Sequence, residues 1–222
     1  MQPTPSNTAD SGFQATGPCP LHIGDPAPQF SARSTTGPVS LSDFRGRWLI
    51  LFSHPGDFTP VCTTEFVALA RAADDFAERN CALMALSVDS LYAHLAWVRL
   101  IRDHYDVEVR FPIVEDPTLV IGRAYDMVSA SAHDAAAVRT TFFIDPDGIV
   151  RATTCYPVTV GRSVREMLRT LAALQESDAA GALAPEGWQP GDPLLCQPEA
   201  TLDDAFSTSD ALSWFLKEKP ND

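Results

Sequence analysis

The apolar and polar positions of the chain fall into short runs with two periods. Trp48-Leu49-Ile50-Leu51-Phe52 is an unbroken apolar run, as expected of a strand buried on both faces. Phe66, Leu69, Ala70, Ala73 and Phe76 then recur at helical spacing and predict a helix with one apolar face. Residues 81–88 form a second buried strand, and Leu91, Leu95, Val98 and Ile101 share the face of a following helix. Asp89 or Ser90 would cap that helix. His94 and Trp97 lie on it, and His94 is read as a packing or surface residue. An extended segment at 111–117 ends in a turn, a short helix follows at 118–125, and the small, polar residues 129–137 read as a loop. Residues 140–144 form a strand, Asp145-Pro146-Asp147-Gly148 has turn chemistry, and 149–154 return antiparallel. Val164, Met167, Leu168, Leu171 and Leu174 mark the inward face of a helix over 162–174, and 210–217 predict a final short helix.

Strand, helix, strand, helix, hairpin and helix in that order give an α/β fold. It is a central mixed sheet flanked by helices, with parallel strands from the first half and antiparallel strands from the second. This is the thioredoxin-like arrangement. Three stretches follow from the composition along the chain. Residues 1–20 are rich in Pro, Ser, Thr, Gly and Asp, lack the pattern of a secretory signal, and read as a flexible extension. The domain proper covers 21–174, opening at Gly24-Asp25-Pro26-Ala27-Pro28-Gln29-Phe30, with Ser42 or Asp43 capping a short turn. Residues 175–222 turn Pro- and Gly-rich around Ala184 to Pro193 and form a C-terminal extension. Its apolar Trp188, Trp214 and Phe215 are expected to be exposed and covered by a partner chain, which makes this a dimerisation segment.

Charge removes whole classes of function. The net charge of −13 over 222 residues repels nucleic acid and anionic membranes. No apolar run approaches the roughly 20 residues a membrane span requires. Cys19, Cys62, Cys81, Cys155 and Cys196 are odd in number, scattered, and form no C-x-x-C pair. That spacing suits neither a zinc site nor a disulfide framework. It suits a reducing compartment, the cytoplasm, with one reactive thiol.

That thiol is Cys62. It follows the buried strand 48–52 through a loop containing Pro55, Gly56, Asp57 and Pro60. Proline's fixed φ suits the start of a helix, so Cys62 falls in the first helical turn. Free N–H groups and the helix dipole there favour an anion such as a thiolate. His54, Thr59, Thr63 and Thr64 surround it with hydrogen-bonding groups. The plain alternative is a buried structural cysteine, which this polar neighbourhood argues against.

Pro55, Thr59 and Cys62 spell Pro-x-x-x-Thr-x-x-Cys, which resembles the active-site motif of the peroxiredoxins. The longer run from Ser53 to Glu65 is similar to the one-cysteine subgroup related to peroxiredoxin 6, and the resemblance extends over about residues 23–202. It implies a thiol-dependent peroxidase for hydrogen peroxide and organic hydroperoxides, with Cys62 passing through a sulfenic acid. It implies no metal, haem or flavin. Thr59 would place its hydroxyl beside thiolate and peroxide, and Pro55 and Pro60 would shield the thiolate. Val138-Arg139-Thr140-Thr141 matches the family context of a distant arginine, so Arg139 would stabilise the charge. Arg162 would hold Glu65 and Arg139, and His54 would support the thiol. The subgroup includes a member with lipase activity tied to a serine before the strand, but Gly46-Arg47-Trp48-Leu49 has none. The resemblance further implies a homodimer or a ring of dimers and a one-cysteine cycle. The reductant would be a small thiol or a glutaredoxin- or thioredoxin-like protein. Cys196, after Leu194 and Leu195, is the internal candidate for a resolving thiol, with a packed apolar position as the alternative. A peroxide sensor or redox-switched holdase would use the same cysteine, whereas a disulfide reductase would need the missing C-x-x-C.

Overall fold

The structure is a computed structural model that describes residues 21–128, 138–198, 201–206 and 212–220. The elements in chain order begin with β1 (Ser31–Ser34), β2 (Gly37–Ser40) and β3 (Trp48–Ser53). They continue through α1 (Pro60–Arg71), α2 (Ala73–Glu78), β4 (Cys81–Ser87), α3 (Leu91–Tyr105) and β5 (Ile113–Glu115). The second half holds α4 (Val120–Ala124), β6 (Arg139–Ile144), β7 (Val150–Tyr156), α5 (Val164–Ala180) and α6 (Leu202–Phe206). One seven-stranded sheet has the order β2-β1-β5-β4-β3-β6-β7. Strand β4 is parallel to both β3 and β5, while β6 is antiparallel to β3 and to β7.

β3 lies inside the sheet between β4 and β6, and its unbroken apolar run has the cause the pattern implies. Side chains alternate across a strand. Ile50 and Phe52 pack with Phe66, Phe76, Trp97, Phe111 and Leu171 on one face of the sheet. Leu49 and Leu51 pack with Phe44, Ile121, Tyr125 and Phe142 on the other. Each large apolar side chain so buried contributes about 1.5–3 kcal/mol, so the strand that leads to Cys62 is firmly anchored.

Several expectations need correction. Antiparallel strands are not confined to the second half, because β1 and β2 form an unforeseen hairpin at the start of the first half. Their sequences, Ser-Ala-Arg-Ser and Gly-Pro-Val-Ser, bury little beyond Val39, so no apolar alternation announces them. The single-turn helix over Leu41–Phe44 starts from Ser40, whose N–H donates to Asp43 Oδ2 at 2.8 Å. Ser90 is the cap of α3, its Oγ accepting from the Ala93 N–H. Helix α5 runs past residue 174 to Ala180 and stops at Gly181, where φ is +56°. The apolar period fades there because the last turn is held by polar contacts instead, Arg151 of β7 donating to both carboxylate oxygens of Asp178 at 2.7 Å.

In the C-terminal segment, residues 212–216 are turns and bends rather than helix, and the short helix lies earlier, at Leu202–Phe206. Trp188 is not exposed: it is 3% accessible and its Nε1–H donates to the Asp192 carbonyl. The segment folds back on its own chain, with Arg169 of α5 donating to the Trp188 carbonyl at 3.2 Å. Phe215 is exposed as expected, and Trp214 is half-buried. Cys81 is a core residue, but Cys155 is exposed, since alternation along the edge strand β7 turns it outward. Cys19 and the loop at 129–137 lie outside the described residues.

Candidate active site

The C-terminal end of β3 delivers the chain to the loop Ser53–Thr59, and α1 begins at once. Thr59 is the N-cap with extended backbone (φ −94°, ψ 148°), Pro60 occupies the first turn, and Cys62 follows within it. Cys62 is wholly buried. Arg139, the first residue of β6, lies across the sheet from it and places Nη1 at 3.3 Å from Cys62 Sγ. The same Nη1 donates to Glu65 Oε2 at 2.7 Å, while Nε and Nη2 donate to the Val158 carbonyl. The guanidinium is thus fixed at both ends and aimed at the sulfur.

Glu65, on α1 just past Cys62, ties the second arginine in. Arg162 donates to Glu65 through its backbone N–H (2.7 Å), Nε (2.9 Å) and Nη2 (2.9 Å). Its Nη1 donates to the Ser53 carbonyl at 3.0 Å, and the guanidinium lies over the Phe52 ring. Burial pushes the Glu65 carboxyl up, but the hydrogen bonds and charge of Arg162, joined by Arg139, outweigh it and hold the group below its ordinary range. Arg139, Arg162 and Glu65 are all buried, so two positive groups face one negative group. Uncompensated buried charge is costly, and the sulfur of Cys62 is the group that lies against this excess of positive charge.

The other loop residues take different places. The Thr59 hydroxyl donates to the Gly56 carbonyl at 2.9 Å, leaving its oxygen lone pairs free to accept. Pro55 is half-buried in the same loop. His54 is fully buried, stacked on Trp97 and edge-on to Phe66, and it reaches Asp57 rather than acting alone. His54 Nε2 lies 2.9 Å from Asp57 Oδ1 and His94 Nδ1 lies 2.7 Å from Asp57 Oδ2. His94 is indeed a packed residue, yet with a polar task that helical spacing did not signal. Cys196 sits in the C-terminal segment, its N–H donating to the Lys217 carbonyl. The Val158 carbonyl escapes any side-chain reading because it is backbone. Gly161 escapes it too: a Cβ there would stand 3.2 Å from Val61 Cγ1, so glycine lets the 157–162 turn close over α1.

Among the described residues, His54, Asp57 and His94 also form a group whose ligand atoms all lie within 4.8 Å of one another. As metal ligands both imidazoles would have to move their proton to the far nitrogen. His54 Nδ1 and His94 Nε2 are buried and have no partner, whereas metal-bound histidines donate that N–H to a neighbour. The three side chains fit a hydrogen-bonded cluster better than a metal site.

A buried thiol at a helix start, a guanidinium on the sulfur and a carboxylate clamp between two arginines agree with comparisons to known proteins. The AhpC/TSA family model matches residues 23–153, and the model of the C-terminal domain of 1-Cys peroxiredoxin matches residues 173–208. A peroxiredoxin 2 from Caldanaerobacter subterraneus is 49% identical over 183 residues, covering 82% of this chain and 83% of the relative. A solved yeast mitochondrial 1-Cys peroxiredoxin superposes with a TM-score of 0.80 at 37% identity, over 90% of this chain and all of that one (100%). Peroxiredoxin 6 of Arenicola marina does so with a TM-score of 0.76 at 32% identity, over 83% of this chain and 87% of that one. The chain belongs to the AhpC/TSA family and is a peroxiredoxin of the one-cysteine, peroxiredoxin 6-like type.

Proposed function

We propose that this thiol-dependent peroxidase reduces hydroperoxides through Cys62 alone, in a one-cysteine cycle closed by an external thiol. The observation that carries the reading is the Arg139 guanidinium 3.3 Å from a buried Cys62 Sγ at the start of α1. The thiolate attacks the terminal O–H oxygen of the peroxide, the S–O bond forms as the O–O bond breaks, and an alkoxide or hydroxide leaves. It takes a proton from water. The Thr59 oxygen accepts the hydrogen bond of the peroxide O–H, and Arg139 stabilises the developing charge. Arg162 and Glu65 hold Arg139 in place, Pro55 limits water, and His54 fixes the loop. A first reducing thiol then attacks the sulfenic sulfur, releasing water and leaving a mixed disulfide. A second thiol releases Cys62 and a disulfide of the reductant.

A small thiol or a glutaredoxin- or thioredoxin-like protein would serve as reductant. The yeast structure describes thiol resolution through glutathione/thioredoxin systems. No helix among the described residues is long and apolar enough to cross a membrane, and we place the enzyme in the cytoplasm, where such thiols are abundant. We divide the chain into an extension at 1–20, a peroxidase domain at 21–174 and a dimerisation segment at 175–222. The exposed Phe206, Leu212, Phe215 and Leu216 support a homodimer or a ring of dimers. Peroxide consumption under excess thiol tests the cycle: repeated turnover is expected from the wild type, and a single turnover would point to a sensor instead.

A further inference from the structure

One buried polar group stands outside the chemistry just described. Asp57 lies in the loop that leads into α1, and its carboxylate lies between two imidazoles, His54 from the end of β3 and His94 from α3. Burial pushes the Asp57 carboxyl up, but hydrogen bonds from both histidines outweigh it, and the group stays ionised. A carboxylate can only accept, so His54 Nε2 and His94 Nδ1 both donate. The Asp57 backbone N–H donates to Asp89 Oδ2 at 2.8 Å, and Ser87 Oγ–H donates to the same oxygen at 2.7 Å. One loop residue is therefore tied to β3, to the end of β4 and to α3.

The loop needs such ties. Phe58, the next residue, is a bulky side chain at φ +56°, and it is more than half exposed. That conformation is unfavourable for an aromatic residue unless its surroundings impose it. His54 Nδ1 and His94 Nε2 are buried without a partner, a further cost of the closed arrangement. Charge-assisted hydrogen bonds to Asp57 are what offset these terms. Meanwhile Cys62 is 0% accessible. A peroxide, little larger than water, needs only a slight local movement to reach the sulfur, whereas a reducing thiol with its substituent needs the start of α1 to open before it can reach a sulfenic acid there.

We infer that His94 is a positioning residue: through Asp57 it holds the loop 55–59 and the first turn of α1 closed for peroxide attack, and its hold limits access of the reducing thiol. The inference rests on the peroxidase reading of Cys62. Weakening the tie must then act on the two half-reactions with opposite sign, because it shifts one closed–open equilibrium.

The test compares wild type, His94→Leu and His94→Asn. Formation of the Cys62 sulfenic acid by hydrogen peroxide is followed by quenching and mass spectrometry. Its consumption by thionitrobenzoate, a bulky aromatic thiol, is followed by loss of the thiol's absorbance. His94→Leu should slow the first step about tenfold and accelerate the second several-fold, the scale of one hydrogen bond to a charged group. In His94→Asn the amide N–H stands where Nδ1–H stood, so both rates should return toward wild type. If His94→Leu does not fold, Asp89→Ala, which removes the acceptor of the Asp57 N–H on a half-exposed side chain, should shift both rates in the same directions. Both steps slowing together, both unchanged, or Asn behaving like Leu overturns the inference while leaving the peroxidase intact. A wild-type Cys62 that does not react with peroxide overturns the peroxidase reading and the inference with it.

Discussion

Glu65, Arg139 and Arg162 form one buried charged cluster against the Cys62 sulfur, so single substitutions at these four positions should be severe and those at other thiols mild. Cys62→Ser removes the nucleophile and should abolish peroxide consumption in a thiol-coupled assay. Cys81→Ser should leave it largely intact, because burial pushes the Cys81 thiol up to about 12 and keeps it protonated. Cys155→Ser should do the same, since that thiol faces outward on β7. Undiminished turnover in Cys62→Ser would sink the assignment. Arg139→Met removes the cation at the sulfur and leaves the Val158 carbonyl and one Glu65 oxygen without that donor. Stopped-flow oxidation of the thiol should slow by about 10²–10³-fold, the range for losing one preorganised donor. An unchanged rate would reduce Arg139 to a structural ion pair.

The junction of β3, its loop and α1 gathers titratable groups that link its folding to protons. Burial pushes the His54 imidazole below its ordinary 6.5, and the hydrogen bond to Asp57 offsets this only in part. The Asp57 and Glu65 carboxyls lie below their ordinary 3.8 and 4.5, because their hydrogen-bond partners outweigh burial. In all three cases the unfolded chain takes up the proton first, so stability falls with falling pH. Their contribution is complete above the unfolded values. It should begin to fade below about pH 6.5 through His54 and fade further below about pH 4.5 as the carboxylates protonate. Thermal melts across this range should show the midpoint dropping in those two stages. A midpoint that rises on acidification would contradict the cluster as described. The β3 end itself should resist longest, since both faces of the strand are covered.

Assembly and regeneration belong to the molecule as a whole. Trp188 is satisfied within its own chain, so the case for a dimer now rests on Phe206, Leu212, Phe215 and Leu216, each at least 42% exposed. Light scattering at micromolar concentration should report at least twice the chain mass of 24.1 kDa; a monomer alone would count against a dimerisation segment. Cys196 bears on regeneration. It is only partly buried, with Sγ at 3.8 Å from the Glu218 carbonyl, and a resolving role would require its segment to reach a Cys62. Oxidation with one equivalent of peroxide should therefore give a sulfenic acid trapped by a dimedone-type reagent. A stoichiometric Cys62–Cys196 disulfide on peptide mapping would replace the one-cysteine cycle with a two-cysteine one.

Local pattern was enough for the elements whose burial is regular. The run at 48–52 specified a strand covered on both faces, and the two prolines placed Cys62 in a first turn; the repeat from Phe66 to Phe76 specified the helical stretch but not its division at Ala72 into α1 and α2. The Pro-x-x-x-Thr-x-x-Cys spacing and the context of Arg139 carried the family. Other features depend on residues far apart in the chain, and no local period encodes them. The β1–β2 hairpin buries too little to alternate, and α5 outlasts its apolar stripe because its last turn is tied to β7 by the Arg151–Asp178 ion pair. Trp188 looked exposed until the segment folded back on α5. Glu65 meets Arg162 across 97 residues and His94 meets Asp57 across 37. The Val158 carbonyl and the close approach at Gly161 are backbone features with no side-chain signal. Sequence spacing reveals which residues share a face of one element. Which faces then meet, and which buried charges end up paired, is settled by packing the sheet against its helices.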